Sequence, residues 1–332
     1  MNHTKRQLID QYNRTLNYMR VSVTDRCNLQ CIYCTPRHGI PKMNHKDILR
    51  YEEILRLAGI AINLGVDKIR LTGGEPLVRK GISEFIPQLT SLPGLKEVSL
   101  TTNGIYLVEN LEKIRSAGIK RINVSLDTLK RERYKKITRH NGFQQVWEGI
   151  ELARNLGFNP VKINVVPIKG LNDDELIDFA RLSLDHPYHI RFIEHMPVGN
   201  VGPDVHRNYI PNAQIKTLIS VLGDLIPIQR SKYDGPAERF KFEGASGEIG
   251  FISPLTNHFC KTCNRLRLTA DGHLRVCLLS DKEEDLRDPM RNGASDEELE
   301  RIFLKAALKK PQAHHLDSQD PTPTSQMSSI GG

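Results

Sequence analysis

Long apolar runs are missing from this chain of 332 residues. No stretch of about 18 apolar residues occurs, which is the length that spans a bilayer. The first twenty residues are also too polar to contain the apolar core of a signal peptide. We therefore expect neither membrane insertion nor secretion, and we expect a cytoplasmic protein. With 39% apolar residues, the chain can still bury a full core.

Cysteine is scarce as well, and its six residues fall into two isolated triplets. Few cysteines at ligand-like spacings in a large chain indicate reduced thiols rather than disulfides. An iron-sulfur cluster normally takes four thiolates, so each triplet either recruits another atom or leaves one metal open. The two candidate metal-binding sets are Cys27, Cys31 and Cys34, and Cys260, Cys263 and Cys277.

Negative charge is in deficit, since the formal net charge is +8 and the pI is near 9.1. This balance favours an anionic partner, which could be nucleic acid, a phosphorylated metabolite or an acidic protein. Charge alone does not choose among these three classes.

A β-rich run, a break and an amphipathic stretch recur six times between residues 19 and 197. The predicted strands cover residues 19–24, 68–72, 97–101, 121–126, 161–166 and 189–194. Asn172, which precedes acidic residues, predicts the N-cap of one helix. Parallel strands need helix-length connections, so the repeat predicts an α/β fold with a partial (β/α)6 TIM-like barrel. We expect the six carboxyl ends of the strands to converge on one site.

The repeat stops at about residue 200. Residues 247–254 predict a short strand, and residues 265–278 alternate around Asp271-Gly272, which indicates a hairpin turn. We expect a barrel core over residues 1–200 and a C-terminal α+β segment over residues 201–310 that carries the second triplet. Residues 311–332, rich in Pro, Ser, Thr and Gln, predict a mobile tail unless they dock.

Zinc is the alternative metal for both triplets. His38 would complete the first site, and His258 or His273 would complete the second. The chain would then be a zinc-stabilised nucleic-acid-binding protein that uses its positive charge.

The first triplet has the spacing CxxxCxxC with Tyr33 before its last cysteine, and Gly73-Gly74-Glu75-Pro76 follows the second predicted strand. This combination resembles the radical S-adenosylmethionine superfamily. The resemblance implies that the first triplet holds a 4Fe-4S cluster whose open iron binds S-adenosylmethionine. It also implies a cofactor pocket formed by Tyr33, Gly74, Ser125 and Met196. A peptide-modifying enzyme with an auxiliary cluster is the alternative within this superfamily.

The second triplet lies in a block that runs from Phe259 to Thr269, with GEIGFISP before it and ADGHLRVCL after it. The block resembles the C-terminal signature of the GTP 3′,8-cyclase family, lyases that begin molybdenum cofactor biosynthesis. The likeness extends from Arg20 to the terminal Gly331-Gly332. It implies a second 4Fe-4S cluster whose open iron binds the purine of GTP, and a product that is (8S)-3′,8-cyclo-7,8-dihydroguanosine 5′-triphosphate.

A triphosphate needs several fixed cations, preferably guanidiniums with their forked donors. The family pattern places substrate-binding groups at Arg20, Arg70, Thr101, Lys162, Arg191, Arg265 and Arg267. No side chain is assigned as catalytic, because the cofactor radical abstracts the hydrogen. The resemblance further implies an electron donor and a downstream cyclic pyranopterin monophosphate synthase as partners, with neither nucleic acid nor membrane. It leaves open whether the chain forms a homodimer.

Overall fold

The computed structural model describes residues 6–36, 38–199, 208–229, 235–314 and 323–331. Its centre is a sheet of parallel strands whose connecting helices cover the outer face. The first six strands are β1 (Tyr18–Ser22), β2 (Lys68–Thr72), β3 (Glu97–Thr102), β4 (Ile122–Ser125), β5 (Val161–Val165) and β6 (Tyr188–Ile193). The helices between them are α1 (Tyr51–Asn63), α2 (Ile82–Thr90), α3 (Leu107–Ser116), α4 (Arg131–Thr138), α5 (Phe143–Asn155) and α6 (Leu176–Asp185). All six predicted strands are present, with bounds that differ from the prediction by two residues or fewer.

The C-terminal half supplies short strands and four helices among the described residues. The strands are β7 (Leu225–Pro227), β8 (Glu238–Phe242), β9 (Glu248–Ile252), β10 (Arg265–Leu268), β11 (His273–Arg275) and β12 (Glu283–Asp285). The helices are α7 (Asn212–Ile219), α8 (Arg287–Arg291), α9 (Asp296–Leu308) and α10 (Met327–Ile330). The predicted hairpin around Asp271-Gly272 is the β10–β11 pair.

The sheet has the strand order β12-β11-β10-β1-β2-β3-β4-β5-β6-β9-β8-β7. Strand β10 pairs in parallel with β1, and β9 pairs in parallel with β6. The C-terminal segment therefore widens the barrel on both sides. The barrel stays open, because β12 and β7 end the sheet. The predicted fold class is confirmed, and the predicted boundary at residue 200 lies outside the described residues.

Alternation along the strands separates the core from the barrel interior. In β5, Val161, Ile163 and Val165 are buried on the outer face of the sheet, where the helices pack. Lys162 and Asn164 point to the opposite face. The apolar stripe of α1, which includes Ile54 and Leu57, completes the outer layer. The inner face is thus free to carry polar and charged groups.

Asn172 occupies the N-cap position of the 3-10 turn that leads into α6, but its side chain makes no capping hydrogen bond. Its side chain accepts a hydrogen bond from the amide of Ile168 at 2.7 Å and donates to the carbonyls of Asp127 and Val166 at 2.7 and 3.0 Å. Because Asn172 is buried between the loops that follow β4 and β5, its amide satisfies those main-chain groups. A 3-10 turn, Asp173–Glu175, separates it from α6.

No helix in the described ranges combines the length and the apolar character that a bilayer crossing requires.

A substitution at Gly247 tests the contact between β6 and β9 of the C-terminal segment. A Cβ atom there would lie 2.1 Å from the Tyr188 carbonyl oxygen, so Gly247→Ala must push β9 away from β6. We expect a loss of about 1–3 kcal/mol in the free energy of unfolding. Gly59→Ala is the matched control, because its Cβ would meet nothing within 4 Å and Gly59 lies inside α1. The control should gain about 0.5–1 kcal/mol, and urea unfolding that ranks the two variants equally would contradict the prediction.

Candidate active site

The carboxyl ends of β1 to β6 open into one cavity of about 370 Å³, a size typical of small-molecule pockets. Both cysteine triplets line it. Every site residue predicted from the sequence lines the same cavity except Lys162. The lining members are Arg20, Cys27, Cys31, Tyr33, Cys34, Arg70, Gly74, Thr101, Ser125, Arg191, Met196, Cys260, Cys263, Arg265, Arg267 and Cys277.

The first triplet lies on the loop after β1. Two amides of this loop, those of Gln30 and Ile32, donate to carbonyls at the end of α4 at 3.1 and 2.9 Å, so the helix braces the loop. The Cys27 sulfur accepts hydrogen bonds from the Leu29 amide at 3.4 Å and the Asn103 side chain at 3.6 Å. Hydrogen bonds to cysteine sulfur are one way in which proteins tune iron-sulfur clusters.

Burial raises the pKa of the Cys27 thiol and raises that of Cys31 well above its usual value. Burial and the nearby Asp127 carboxylate raise the pKa of Cys34 to about 12. The first triplet therefore consists of neutral thiols near pH 7, and a metal must displace their protons.

Tyr33 links the first triplet to the far strands. Its hydroxyl donates to Asp127, and the other oxygen of Asp127 accepts from the Val166 amide at 2.8 Å. Burial raises the pKa of Asp127 to about 6 and that of Tyr33 well above its usual value. The loop of the first triplet is thus tied to the ends of β4 and β5.

The glycines after β2 permit a close main-chain approach. A Cβ at Gly74 would lie 2.2 Å from the Arg26 carbonyl oxygen, which belongs to the residue before Cys27. The Gly74 amide donates to Thr24 at 2.7 Å, and the Glu75 amide donates to Arg26 at 2.7 Å. Only glycine at position 74 allows the end of β2 to hold the first triplet in this way.

The second triplet has a different electrostatic environment. Cys260 lies in a 3-10 turn, Cys263 precedes β10, and Cys277 follows β11. Burial opposes ionisation of Cys263, but the adjacent Arg265 and Lys310 cations lower its pKa to about 6. Burial raises the pKa of Cys260. At least one sulfur of this triplet is thus a thiolate, the form that binds metals, at neutral pH.

The three histidines considered as zinc ligands differ in position. His258 lines the cavity, and its ring centroid lies 5.2 Å from that of His314. His273 instead places its Nδ1 atom 3.3 Å from the Asp271 carboxylate and does not line the cavity, and His38 is exposed outside the cavity. Within the described ranges, no three His, Cys, Asp or Glu side chains lie close enough together to share a single ion.

Three arginines lie abreast on the inner face of the sheet. The strand register places Arg267 of β10 and Arg70 of β2 on either side of Arg20 of β1. Burial and the charge of Arg267 lower the pKa of Arg20, and burial and the charge of Arg265 lower that of Arg267 to about 10. Arg191 on β6 is also buried, with a pKa lowered to about 10. Guanidiniums in proteins stay charged, so the cavity carries surplus positive charge.

That surplus favours an anion. Among the described residues, Arg70, Arg191 and Arg267 form no ion pair with a carboxylate; Arg70 donates to the Ser99 hydroxyl at 3.1 Å. Two buried oxygens of lining residues, Thr101 Oγ1 and Asn164 Oδ1, have no hydrogen-bond partner in the described structure. Buried polar atoms of this kind are normally satisfied, so the wall offers a polar ligand an acceptor at Asn164 and a hydroxyl at Thr101.

Lys162 lies beside this basic cluster but does not line the cavity. Burial, together with Arg191, Arg70 and Lys68, lowers its pKa to about 6. Its amine is therefore largely unprotonated at neutral pH, while the neighbouring arginines keep their charge.

The end of the chain is docked against the cavity. The Gly331 carbonyl accepts hydrogen bonds from Arg20 at 2.9 Å and Arg267 at 3.0 Å. Upstream, the Asp281 carboxylate accepts from the amides and hydroxyls of Thr324 and Ser325, and the buried Arg275 donates to it at 2.6 Å. Residues 323–331 therefore make hydrogen bonds with the rest of the chain at both ends of this segment. Residues 315–322 and Gly332 lie outside the described residues.

Several lining residues were absent from the predicted site. Tyr18 lies among the cations, with the Lys68 ammonium and the Arg70 guanidinium 5.4 and 5.5 Å from its ring centroid. Asp127 and Asn164 complete this group. The strand alternation marks Tyr18 and Asn164 as inward-facing, because they lie two residues from Arg20 and Lys162. Combining the predicted barrel with that alternation could have identified both.

Two protein-family models and a solved structure are similar to this chain. Residues 21–183 match the family model of the radical SAM superfamily, and residues 188–316 match the model described as molybdenum cofactor synthesis C. The fold is similar to that of SuiB from Streptococcus suis bound to S-adenosylmethionine, with a TM-score of 0.59 and 14% identity over 84% of this chain and 67% of that chain. Fold and site together define a radical S-adenosylmethionine enzyme.

Relatives that match along nearly the whole chain identify one family within the radical S-adenosylmethionine enzymes. The chain is 50% identical over 323 residues to the GTP 3′,8-cyclase of Moorella thermoacetica, and the match covers 97% of this chain and 99% of the relative. It is 49% identical over 325 residues to the GTP 3′,8-cyclase of Thermodesulfovibrio yellowstonii, and the match covers 97% of this chain and 99% of the relative. It is 48% identical over 330 residues to that of Heliobacterium modesticaldum, and the match covers 98% of this chain and 100% of the relative. The chain belongs to the GTP 3′,8-cyclase family. The resemblance inferred from the motifs is confirmed.

Asp281 is predicted to hold the docked end of the chain. Its bonds to Thr324 and Ser325 are charge-assisted, and the Arg275 cation and these bonds keep the pKa of Asp281 well below its usual range. Asp281→Asn should therefore make cleavage within residues 323–331 about tenfold faster in limited proteolysis followed by mass spectrometry. Asp288→Asn is the control, because Asp288 pairs with Arg287. Equal cleavage of both variants would show that Asp281 does not anchor this segment.

Proposed function

We propose that this chain converts GTP to (8S)-3′,8-cyclo-7,8-dihydroguanosine 5′-triphosphate, the first step of molybdenum cofactor biosynthesis. Its family membership supports this activity. The observation that carries it is that two incomplete cysteine triplets line one cavity whose wall bears Arg70, Arg191 and Arg267, which pair with no carboxylate among the described residues. Each triplet leaves a coordination position for a ligand from outside the chain, and the arginines match a triphosphate.

The first triplet, Cys27, Cys31 and Cys34, holds a 4Fe-4S cluster in this proposal, and Tyr33, Gly74, Ser125 and Met196 contact S-adenosylmethionine. S-adenosylmethionine bound there and reduced through that cluster would supply the radical chemistry that removes the C3′ hydrogen of GTP. The residues of the chain hold the loop of the first triplet in position. Gly74 holds the end of β2 against the triplet loop, and the Tyr33–Asp127 hydrogen bond fixes that loop to β4 and β5.

The second triplet, Cys260, Cys263 and Cys277, holds the other 4Fe-4S cluster and faces the purine. Thr101 offers a hydroxyl that lacks a partner among the described residues. The triphosphate lies against the guanidiniums of the inner face, and Lys162, on the same face of the sheet, adds charge when it is protonated. The proposed phosphate-binding groups are Arg20, Arg70, Lys162, Arg191, Arg265 and Arg267.

Two partners follow from this chemistry. Reduction of the first cluster requires an external electron donor, and the cyclised nucleotide is the substrate of a cyclic pyranopterin monophosphate synthase. GTP and S-adenosylmethionine are cytoplasmic metabolites, which supports a cytoplasmic location.

The activity is tested with anaerobically reconstituted protein, GTP, S-adenosylmethionine and dithionite. We expect 5′-deoxyadenosine together with a cyclised nucleotide, and about eight irons per chain with matching sulfide. A chain that instead carries zinc and forms neither product would refute the proposal and favour the nucleic-acid-binding alternative.

The two triplets are predicted to serve different ligands. Cys260→Ser, Cys263→Ser or Cys277→Ser should spare S-adenosylmethionine binding and abolish formation of the cyclised nucleotide, because the second triplet faces the purine. Equilibrium dialysis with labelled S-adenosylmethionine and chromatography of the nucleotides measure the two effects. Cys31→Ser, which should lose S-adenosylmethionine binding, is the control. Parallel loss of both functions in all four variants would indicate that the second triplet supports the fold instead.

Lys162 gives a pH prediction. Its pKa of about 6 beside the arginines should rise toward its ordinary value of 10.5 when a triphosphate neutralises those arginines. GTP binding near pH 8 should then take up a proton, and affinity should increase as the pH falls from 8 toward 6. Titration calorimetry in two buffers of different ionisation enthalpy measures this uptake. Lys162→Met should lack it, and identical proton uptake in both proteins would contradict the assignment.

A further inference from the structure

Lys310 is a buried lysine behind the second triplet. It follows α9, is 2% exposed and does not line the cavity. Its ammonium donates to the Arg265 carbonyl at 2.9 Å and to the Val276 carbonyl. Arg265 lies two residues after Cys263, and Val276 immediately precedes Cys277. One side chain thus joins the two chain segments that carry these cysteines.

The third cysteine is held by a second buried cation. Arg14 donates to the Cys260 carbonyl at 2.6 Å and also to the carbonyls of Pro311 and Gln312 at 2.6 and 3.1 Å. Its Nε atom lies 2.5 Å from the buried Asp10 carboxylate. The charge of Arg14 is therefore balanced by Asp10, and Arg14 holds the loop of Cys260 as part of this ion pair.

Lys310 differs from Arg14 in charge balance. In the described part of the chain, no carboxylate pairs with its ammonium; its hydrogen-bond acceptors are neutral carbonyls. Burying a charge without a counter-charge is costly, and carbonyl oxygens compensate only part of that cost. The negative groups that act on Lys310 are the sulfurs of Cys263 and Cys277. A metal centre ligated by these sulfurs would supply the counter-charge that Lys310 lacks among the described residues.

We propose that Lys310 is a positioning residue and the counter-ion of the second metal centre, which it stabilises and whose reduction potential it raises. This inference rests on the proposed function, in which the second triplet holds an iron-sulfur cluster. A cluster bound by three thiolates carries net negative charge, and reduction adds more. A fixed cation beside the ligands therefore favours both retention of the cluster and the reduced state.

The test uses the full chain with the first triplet replaced by serine, so that iron and spectroscopic signals report on the second centre. Lys310→Met and Lys310→Gln remove the charge, and Gln keeps a donor for one carbonyl. Lys310→Arg keeps the charge. Lys309→Met is the matched control, because Lys309 is the exposed neighbour that pairs with Glu284 on the surface. Iron release to EDTA, the midpoint potential followed by electron paramagnetic resonance, and the urea unfolding midpoint are measured anaerobically.

We expect Lys310→Met and Lys310→Gln to release iron about 10- to 100-fold faster and to shift the midpoint potential to more negative values. Lys310→Arg and Lys309→Met should match the parent protein in both. Faster iron release with an unchanged potential and a lowered urea midpoint would show that Lys310 is only a structural brace. If Lys310→Met does not fold, Lys310→Gln decides between these outcomes. A parent protein that binds no iron-sulfur cluster would refute the second metal centre itself.

Discussion

The parallel pairing of β10 with β1 is the constraint on which the site depends. It places Arg267 level with Arg20, and the pairing of β1 with β2 places Arg70 beside them. The same pairing carries Cys263, just before β10, to the cavity that the first triplet lines. A slip of one residue would turn the arginines of β10 toward the helices and remove them from the cavity. Register thus sets both the spacing of the triplets and the field between them.

Charge is distributed in two layers around this cavity. The inner layer consists of guanidiniums that face the interior, and those of Arg70, Arg191 and Arg267 pair with no carboxylate among the described residues, so an anion would balance them. The outer layer consists of cations that hold main-chain carbonyls of the second triplet, Arg14 with Asp10 and Lys310 without a carboxylate. The first triplet has the opposite surroundings, since Asp127 lies near it and raises the pKa of Cys34. The two ends of one cavity therefore favour different charge states.

Much of the fold was predictable because its signals are local. Strand β2 has the predicted bounds, and all but one of the predicted site residues share a cavity, since motifs such as CxxxCxxC and GGEP encode a loop and a strand end. The pairing of β10 with β1 was not predictable, because it joins opposite ends of the chain and leaves no periodic signal. Asn172 looked like a helix cap, but burial redirected its amide to two loops. Lys310 has no distinctive sequence context, since a lysine at a helix end usually faces solvent.

The β1–β10 pairing also determines when the sheet can be completed during synthesis. During synthesis, β1 emerges among the first residues, yet its neighbour on one side is translated only after most of the chain. Until then β1 is a sheet edge with unpaired main-chain groups, which exposes a growing chain to wrong pairings. A polypeptide that stops before residue 268 lacks this strand and the last cysteine. Shortened products therefore lack both the β10 part of the cavity wall and a complete second triplet, and that triplet can bind its metal only after Cys277 has been added to the chain.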